Sequence, residues 1–337
     1  MGEKFFSVIQ YGKEAPTAQG TAVAADTIWV GQVGAHTSDR KISYPVEQFK
    51  VRAESNRSVV GQRLVIDTLM SDHGTFQQLP MILSGLLKGG VTPVEQNTSQ
   101  GDYLWDFTPS LTAGNALDSF TIEKGDDTQA WEAEYCMFER LTLSGQINQD
   151  NSFSPVNIEA AFFGRQWTET TFTAALSLPN TNSIDAILSQ LYIDTAWSAI
   201  GGTEKAGILR DFSIEILGGA HPKFHGGSNR YFDAHDQGLI SIMGNFTFEG
   251  NSTADTIWDA KQAQTEQFIR FKLSGDQIGS GDVHSLVLDM GGTWEDVIPM
   301  ASEDRGNNLH TAVFHAYYDS VGAKLLQAQV TTNVSAI

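Results

Sequence analysis

Hydrophobic and polar residues alternate along most of the chain, which is the pattern of strands with one buried face. Residues 156–163 and 212–216 are clear examples, with apolar side chains at every second position. Clusters of Gly, Asn, Asp and Ser separate such runs, as turns require. The pattern predicts a mainly β fold with strands at residues 49–51, 64–66, 104–107, 120–122, 136–143, 156–163, 212–216, 240–248, 269–273, 286–290, 312–318 and 325–331.

Three segments show the three-to-four spacing of an amphipathic helix instead. In residues 75–87, Pro80 falls inside the pattern, so the regular helix is expected to begin there. A second helix is predicted over residues 252–268, and a third over residues 183–191. Helices are therefore inserted at intervals into a chain that is otherwise made of strands.

The order of predicted elements occurs twice, as two strands, a helix and four strands in each half. This repetition predicts two tandem β-sandwich domains, each with one short helix. We assign residues 1–45 to an N-terminal arm and 46–166 to the first sandwich domain. Residues 167–205 form a linker or second arm with a short helix, and 206–337 form the second sandwich domain. The arm has few core-like runs and is expected to be flexible before any assembly.

Composition and charge narrow the function. The 337 residues are 41% hydrophobic, which is ample for a packed core, and the formal net charge is −19. A protein that grips DNA usually carries a basic surface, so ordinary DNA binding is disfavoured, whereas a protein past which DNA must slide is compatible. No run reaches the about 18 to 20 apolar residues of a membrane helix. No secretory signal is predicted, so synthesis in the cytoplasm is expected.

Residues able to carry chemistry are present, but their contexts favour structural roles. His and Asp between residues 218 and 238 lie in a loop expected to be exposed and mobile, without the compact spacing of a metal site. We interpret that loop as a surface or ring-contact segment. These His and Asp residues are His221, His225, Asp233, His235 and Asp236.

Other candidates are interpreted in the same way. Glu132, Glu134 and Glu139 have the residue type of a glycosidase pair but are typical of a solvated strand face. Cys136, the single cysteine, is interpreted as a small core residue. No nucleophile elbow or phosphate-binding loop occurs. We therefore assign no catalytic, cofactor-binding or metal-binding residue and expect no enzymatic activity.

Several short passages, taken in order, resemble the tail tube (major tail) proteins of siphophages. The resemblance is weaker in the second half, at LYID and residues 208–218. The passages are YGKE at 11–14, GTAV at 20–23, YLWDFTP at 103–109, SFTIEKG at 119–125, residues 136–145, VNIEAAFFGR at 156–165 and LYID at 191–194.

The resemblance implies a small β-sandwich flanked by a helix and a structural role in the virion. One-domain members form hexameric rings, so a duplicated member is expected to form trimeric rings with pseudo-sixfold symmetry. The rings would stack helically into a conduit through which double-stranded DNA passes without specific binding. Other expected partners are tail proteins: the tape measure, the terminator, and the baseplate or distal tail. The protein would be made in the host cytoplasm and act in the phage tail, with no membrane partner.

Physical arguments agree with this reading. Open edge strands invite pairing with another chain, and head-to-tail contacts close into rings when the rotation allows. An acidic inner wall would repel DNA phosphates within a screening length of about 8 Å at physiological salt. Sequence alone does not identify the carboxylates that line such a wall.

Two alternatives remain open at this stage. An outer-membrane porin-like β-barrel would also be acidic and strand-rich. The expected lack of a signal peptide, the inserted helices and the non-aromatic terminal Ile337 disfavour it. A carbohydrate-binding or adhesin β-sandwich would use exposed aromatic residues as a platform, whereas scattered tryptophans more often fill a core or a subunit contact.

Overall fold

A computed structural model describes residues 4–35, 37–227 and 229–337. Residues 1–3 of the predicted arm and Ser228 of the predicted 218–238 loop lie outside the described residues. The fold is mainly β, as predicted. The first eleven strands are β1 (Val8–Lys13), β2 (Thr27–Ile28), β3 (Arg40–Ser43), β4 (Val59–Arg63), β5 (Val65–Ser71), β6 (Val94–Glu95), β7 (Tyr103–Asp106), β8 (Phe120–Gly125), β9 (Ala130–Gln146), β10 (Val156–Gly164) and β11 (Trp167–Thr170).

Nine further strands and two α-helices complete the described elements. The strands are β12 (Ser189–Asp194), β13 (Leu209–Leu217), β14 (Ala220–Lys223), β15 (Ala234–Gln237), β16 (Ser241–Glu249), β17 (Gln267–Gln277), β18 (Val283–Asp304), β19 (Asn307–Ala316) and β20 (Leu326–Thr332). The helices are α1 (Leu79–Leu86) and α2 (Ser252–Gln262). The predicted strands are confirmed except residues 49–51, which form bends because Lys50 has a φ of 62°, outside the extended region.

Two of the three predicted helices are confirmed in shortened form. Pro80 lies in the first turn of α1, behind a 3₁₀ turn, as its missing N–H allows. The Asn251 side chain caps α2 by accepting hydrogen bonds from two backbone N–H groups. The prediction of a third helix over residues 183–191 is wrong. Only Ala186–Leu188 are helical, as a 3₁₀ turn. The chain continues as strand β12, because Leu191 and Ile193 lie on its buried face and its backbone pairs with β17.

One antiparallel sheet runs through both halves of the chain, and we call it the shared sheet. Its strand order is β5, β10, β9, β13, β16, β19 and β18. The long strands β9 and β18 leave it at their N-terminal ends and enter outer layers. There β9 pairs with β8 and β11, and β18 pairs with β17 and β20.

The pairing pattern itself occurs twice. The first copy pairs β1 with β8, β8 with β9, β9 with β10 and β10 with β5. The second pairs β12 with β17, β17 with β18, β18 with β19 and β19 with β16. In each copy a helix follows the last strand of this pairing order, β5 or β16. The repeated order of elements in the sequence therefore corresponds to a repeated pairing order.

The two halves nevertheless share one main core. A single cluster of buried hydrophobic side chains extends from Ile9 in β1 to Val330 in β20. Strand β7, from the first half, pairs with β20, and the Trp105 indole N–H donates to the Val334 carbonyl at 2.8 Å. The division into two separate sandwich domains thus stays a prediction.

A buried carboxylate fixes the bend where β9 passes from the outer layer into the shared sheet. Tyr135 has a φ of 56° at this point, and its backbone N–H donates to Glu14 at 2.7 Å. The Glu14 carboxylate is 1% exposed and also accepts hydrogen bonds from Ser119, Thr121 and Gly20. Because a buried carboxylate needs such partners, the bend and the carboxylate stabilise each other.

Much of the predicted N-terminal arm belongs to the fold. Strand β1 pairs with β8 over six residues, and Ile9, Tyr11 and Trp29 are buried. Sequence analysis missed this placement because β1 is a short isolated run whose partner, β8, lies more than 100 residues further along the chain.

The 218–238 segment is also better ordered than predicted. Its residues form the hairpin β14–β15, and Phe232 is fully buried against Tyr135 and Phe163 of the first half. The Arg165 guanidinium lies 5.9 Å from the Phe232 ring centroid, and its Nε donates to the Phe232 carbonyl at 3.0 Å. The prediction of an exposed, mobile excursion is therefore wrong at Phe232, because an aromatic anchor fills a small second core.

Replacing this anchor is expected to release the hairpin. Phe232→Ala should destabilise its attachment by about 3–5 kcal/mol, because a fully buried ring is lost. Hydrogen exchange of residues 220–237 should accelerate strongly, while β9 and β10 keep their protection. The control Phe153→Ala removes a ring that is 44% exposed and should leave the exchange of the hairpin unchanged. Equal protection in the wild type and Phe232→Ala would contradict the anchoring role.

Candidate functional site

The contact between the two halves is a backbone ladder. Strand β13 pairs with β9 from Asp211 opposite Gln146 to Leu217 opposite Arg140. Ser144 of β9 pairs with Asn157 of β10 and with Ser213 of β13, so β10 and β13 flank β9 on opposite sides. This edge of the first repeat is thus covered by β13, a strand from the second half of the chain.

The corresponding edge of β18 is open. Gly292 pairs with Gln267 of β17 on one side and with Ala316 of β19 on the other. Between Gly292 and Asp304, one side of β18 pairs with β19. On the other side, which carries β17 up to Gly292, no strand within the described residues pairs with β18 over this stretch. In β9 that same side carries β13. The unpaired backbone groups of β18 are therefore those that β13 satisfies on β9.

The opposite end of the shared sheet, at β5, is covered only loosely. The Gln32 N–H donates to the Met70 carbonyl at 2.9 Å, and the Thr37 hydroxyl donates to the Ile66 carbonyl at 2.7 Å. The described residues around Gln32 and Thr37 thus run beside β5 as β13 runs beside β16, but among them Gln32–Met70 is an isolated bridge and not part of a ladder. Ile66 is 55% exposed on this strand, as expected for an edge that lacks a full partner.

One face of the shared sheet packs on the core, and the other, which we call the polar face, carries small polar side chains. Their register forms a row across six strands. The core-facing neighbours in the same strands, such as Ile158, Leu143 and Ile214, are buried. The row runs through Asn157, Ser144, Ser213, Asn245, Val313 and Asp296.

Charge on the polar face is predominantly negative. Its two arginines are both held by carboxylates. Arg140 lies 2.6 Å from Glu159 and 3.7 Å from Glu215, and Arg210 contacts Glu249 and Asp304 at 3.4 and 3.2 Å. Six carboxylates against two arginines leave a formal charge of −4. The carboxylates are Glu159, Asp211, Glu215, Glu249, Asp296 and Asp304.

The histidines singled out in the sequence do not form a site together. His235 Nδ1 lies 3.0 Å from the Tyr135 hydroxyl, whereas His225 pairs with Asp233 at 2.6 Å. Asp236 instead contacts Lys223. Across residues 4–35, 37–227 and 229–337, no group of three His, Cys, Asp or Glu side chains is placed to hold a metal ion.

The carboxylates and the cysteine of β9 have structural surroundings. Burial raises the pKa values of Glu132, Glu134 and Glu139, so this strand face is only partly solvated, contrary to the prediction of a solvated face. Cys136 is fully buried, as predicted, and burial raises the pKa of its thiol. Its Sγ donates to the Ala133 carbonyl at 3.3 Å. A protonated, inaccessible thiol is a poor nucleophile.

The chain matches no protein-family model and no curated protein. Among the described residues, neither helix has the length and apolar character needed to cross a bilayer. The resemblance to siphophage tail tube proteins therefore stays an expectation from sequence, and the functional argument depends on the shared sheet.

Acidification is expected to loosen the hairpin β14–β15 through His235. Burial lowers the pKa of His235 in the folded state, so the released state binds the proton more readily. Stability from the neutral ring is present above the ordinary histidine pKa of about 6.5 and is lost as the pH falls through it. The protection factors of residues 220–237, which correct for the intrinsic pH dependence of amide exchange, should be lower at pH 5.5 than at pH 7.5.

His235→Gln provides the control, because the amide can accept the Tyr135 hydrogen bond without titrating. The protection factors of its residues 220–237 should change less between the two pH values than those of the wild type. An identical pH response in both proteins would show that His235 is not the responsible group.

Proposed function

We propose that this protein is a structural subunit that assembles head to tail through its shared sheet, as a phage tail tube protein does. One observation carries the proposal. Strand β13 of the same chain pairs with one edge of β9, whereas the corresponding edge of β18 is open. A second copy can supply the missing strand from its chain beside β5, which occupies the position of β13 in the repeated pattern. The chain would then be non-enzymatic.

Such a contact is heterologous, because the β18 edge of one copy meets the β5 end of the next. Heterologous contacts form a closed ring when the rotation between copies allows it. Each copy contributes two repeats, so a ring of three copies would have pseudo-sixfold symmetry. We propose this trimeric ring, stacked helically in the virion with tape measure, terminator and baseplate or distal tail proteins as its neighbours.

The polar face is the surface that would line the conduit. The main core packs against the opposite face of the shared sheet. The hairpin β14–β15 covers the polar face near Phe163, and Lys261 of α2 contacts Asp296, so the rest of the row from Asn157 to Asp296 is the part left free. The row of Ser and Asn side chains gives weak, sequence-independent contacts, and the excess of carboxylates on this face repels phosphates within about 8 Å. Double-stranded DNA would therefore pass without stalling, whereas a basic wall would release counterions and bind it.

Blocking the β18 edge should prevent assembly without unfolding the subunit. Glu295 lies in a bulge between the pairs Trp294–Phe314 and Asp296–Val313, so it has no partner on β19. Glu295→Pro removes an N–H from the strand while sparing the register with β19. We expect folded monomers by circular dichroism and sedimentation, and no rings or tubes by negative-stain microscopy.

Glu295→Ala is the matched control, because it removes the same carboxylate and keeps the N–H. This variant should assemble like the wild type. Tubes formed equally well by Glu295→Pro would exclude edge pairing at β18 as the assembly contact.

Reversing charge on the polar face should make the assembled tubes retain DNA. In Asp211→Lys/Asp296→Lys, each new phosphate contact should steepen the dependence of log K on log salt by about 0.9. Wild-type tubes should not co-sediment with linear double-stranded DNA, whereas the variant tubes should at low salt. Asp255→Lys/Asp259→Lys changes the same charge at exposed positions of α2 and serves as the control. Equal retention by both variants would contradict a lumen-facing polar face.

A further inference from the structure

The hairpin β3–β4, together with the loop that joins its two strands, is basic although the chain as a whole is acidic. Residues 40–63, which we call the basic excursion, hold six Lys and Arg and two Glu, a formal charge of +4 in a chain of −19. Several of its apolar side chains face solvent: Tyr44 is 64% exposed, Val46 76% and Val51 65%. The Arg63 N–H anchors its base by donating to the Arg230 carbonyl at 2.9 Å, while the rest extends outward.

The repeated pairing pattern assigns this segment a counterpart. The basic excursion precedes β5, and residues 218–240 precede β16, the corresponding strand. Residues 218–240 do not stay with their own repeat, because Phe232 docks on Tyr135 and Phe163 of the preceding repeat. The Arg165 side chain closes the contact by stacking on the Phe232 ring.

The second repeat has an equivalent docking position that stands open. The Arg165 N–H donates to the Glu134 carbonyl of β9, and the Tyr317 N–H donates to the Gly291 carbonyl of β18, each at 3.0 Å. Tyr317 therefore occupies the backbone position of Arg165. We define the aromatic patch as Trp197, Tyr317, Tyr318 and Val321.

No segment within the described residues covers the aromatic patch as Phe232 covers its counterpart. Tyr318 is 50% exposed and Val321 94%. The buried Trp197 Nε1 has no hydrogen-bond partner among the described residues. Glu266 lies beside Tyr317, and Asp319 lines the adjoining cavity. Asp319 is 5% exposed and accepts hydrogen bonds from the Val321 and Gly322 N–H groups, and the Lys324 Nζ lies 5.5 Å from the Trp197 ring centroid. The patch is thus mainly apolar, and Glu266 is its more accessible acidic neighbour.

We infer that the basic excursion of one copy docks on the aromatic patch of the preceding copy, an inference that rests on the proposed head-to-tail assembly. The occupant is a second copy of this chain. This contact between two chains would correspond to the contact of Phe232 with Tyr135 and Phe163 within one chain. Apolar side chains around Val51 cover the tyrosines, and Lys50 and Arg52, which flank Val51, face Glu266. Arg57 stays paired with Glu47 of the excursion at 2.6 Å. The free subunit keeps both surfaces exposed until its neighbour arrives.

Directed cross-linking tests the contact in the full chain. Two proteins with one accessible cysteine each, Val51→Cys and Val321→Cys, are mixed under assembly conditions and treated with a short bismaleimide. Cys136 is fully buried and should not react. Because docking creates a high effective concentration, the 51–321 product should exceed that of the control mixture at least about tenfold. The control pairs Val51→Cys with Leu178→Cys, whose parent leucine is 79% exposed.

The possible outcomes separate this inference from the proposed function. Rings or tubes with a 51–321 product well above the control support both. Rings or tubes whose 51–321 product does not exceed the control overturn the docking inference and leave head-to-tail assembly standing. Subunits that remain monomeric under all assembly conditions overturn both.

Discussion

The central constraint in this molecule is the need of strand edges for backbone partners. Every extended segment carries N–H and C=O groups that must be satisfied, and an exposed edge is a template for another strand. Strand β13 satisfies the edge of β9 by pairing with it. The corresponding edge of β18 has no strand partner among the described residues. Repetition makes the difference informative, because both strands occupy the same place in the same pairing order. The free edge of β18 therefore corresponds to the edge of β9 that pairs with β13 in the same chain.

The rest of the fold holds these edges in place. Strands β9 and β18, of 17 and 22 residues, belong to two layers at once, so the core behind the shared sheet also fixes its direction. The buried Glu14 secures the bend of β9, and the buried pair of Lys124 with Asp67, at 2.7 Å, ties β8 to β5. Such a pair is costly to break, because either partner alone would be an uncompensated buried charge. Rigid edges of this kind favour one geometry of association over many.

Alternation in the sequence was sufficient to predict strands such as β10, β13 and β16, because one face of each is buried and the other is polar. It failed at residues 183–191, where pairing with β17 outweighed a helical spacing, and at Phe232, whose partners lie in the other half. For the polar face, the sequence showed which residues are polar but not which of them are neighbours. Neighbours across strands, such as Ser144 and Ser213, depend on the register between strands that are distant in sequence. The open edge had no signal in the sequence, because the predicted strand ends at Met290 and the sequence up to Asp304 contains Gly291, Gly292 and Pro299, which do not indicate a continuing strand.

Electron cryomicroscopy of the assembled protein, at a resolution that separates strands, tests the central claim most directly. The account predicts that residues 293–304 of each copy pair antiparallel with the chain beside β5 of the next copy, in a ring whose polar face points inward. An assembly in which that edge stays unpaired, or in which the polar face points outward, would contradict it.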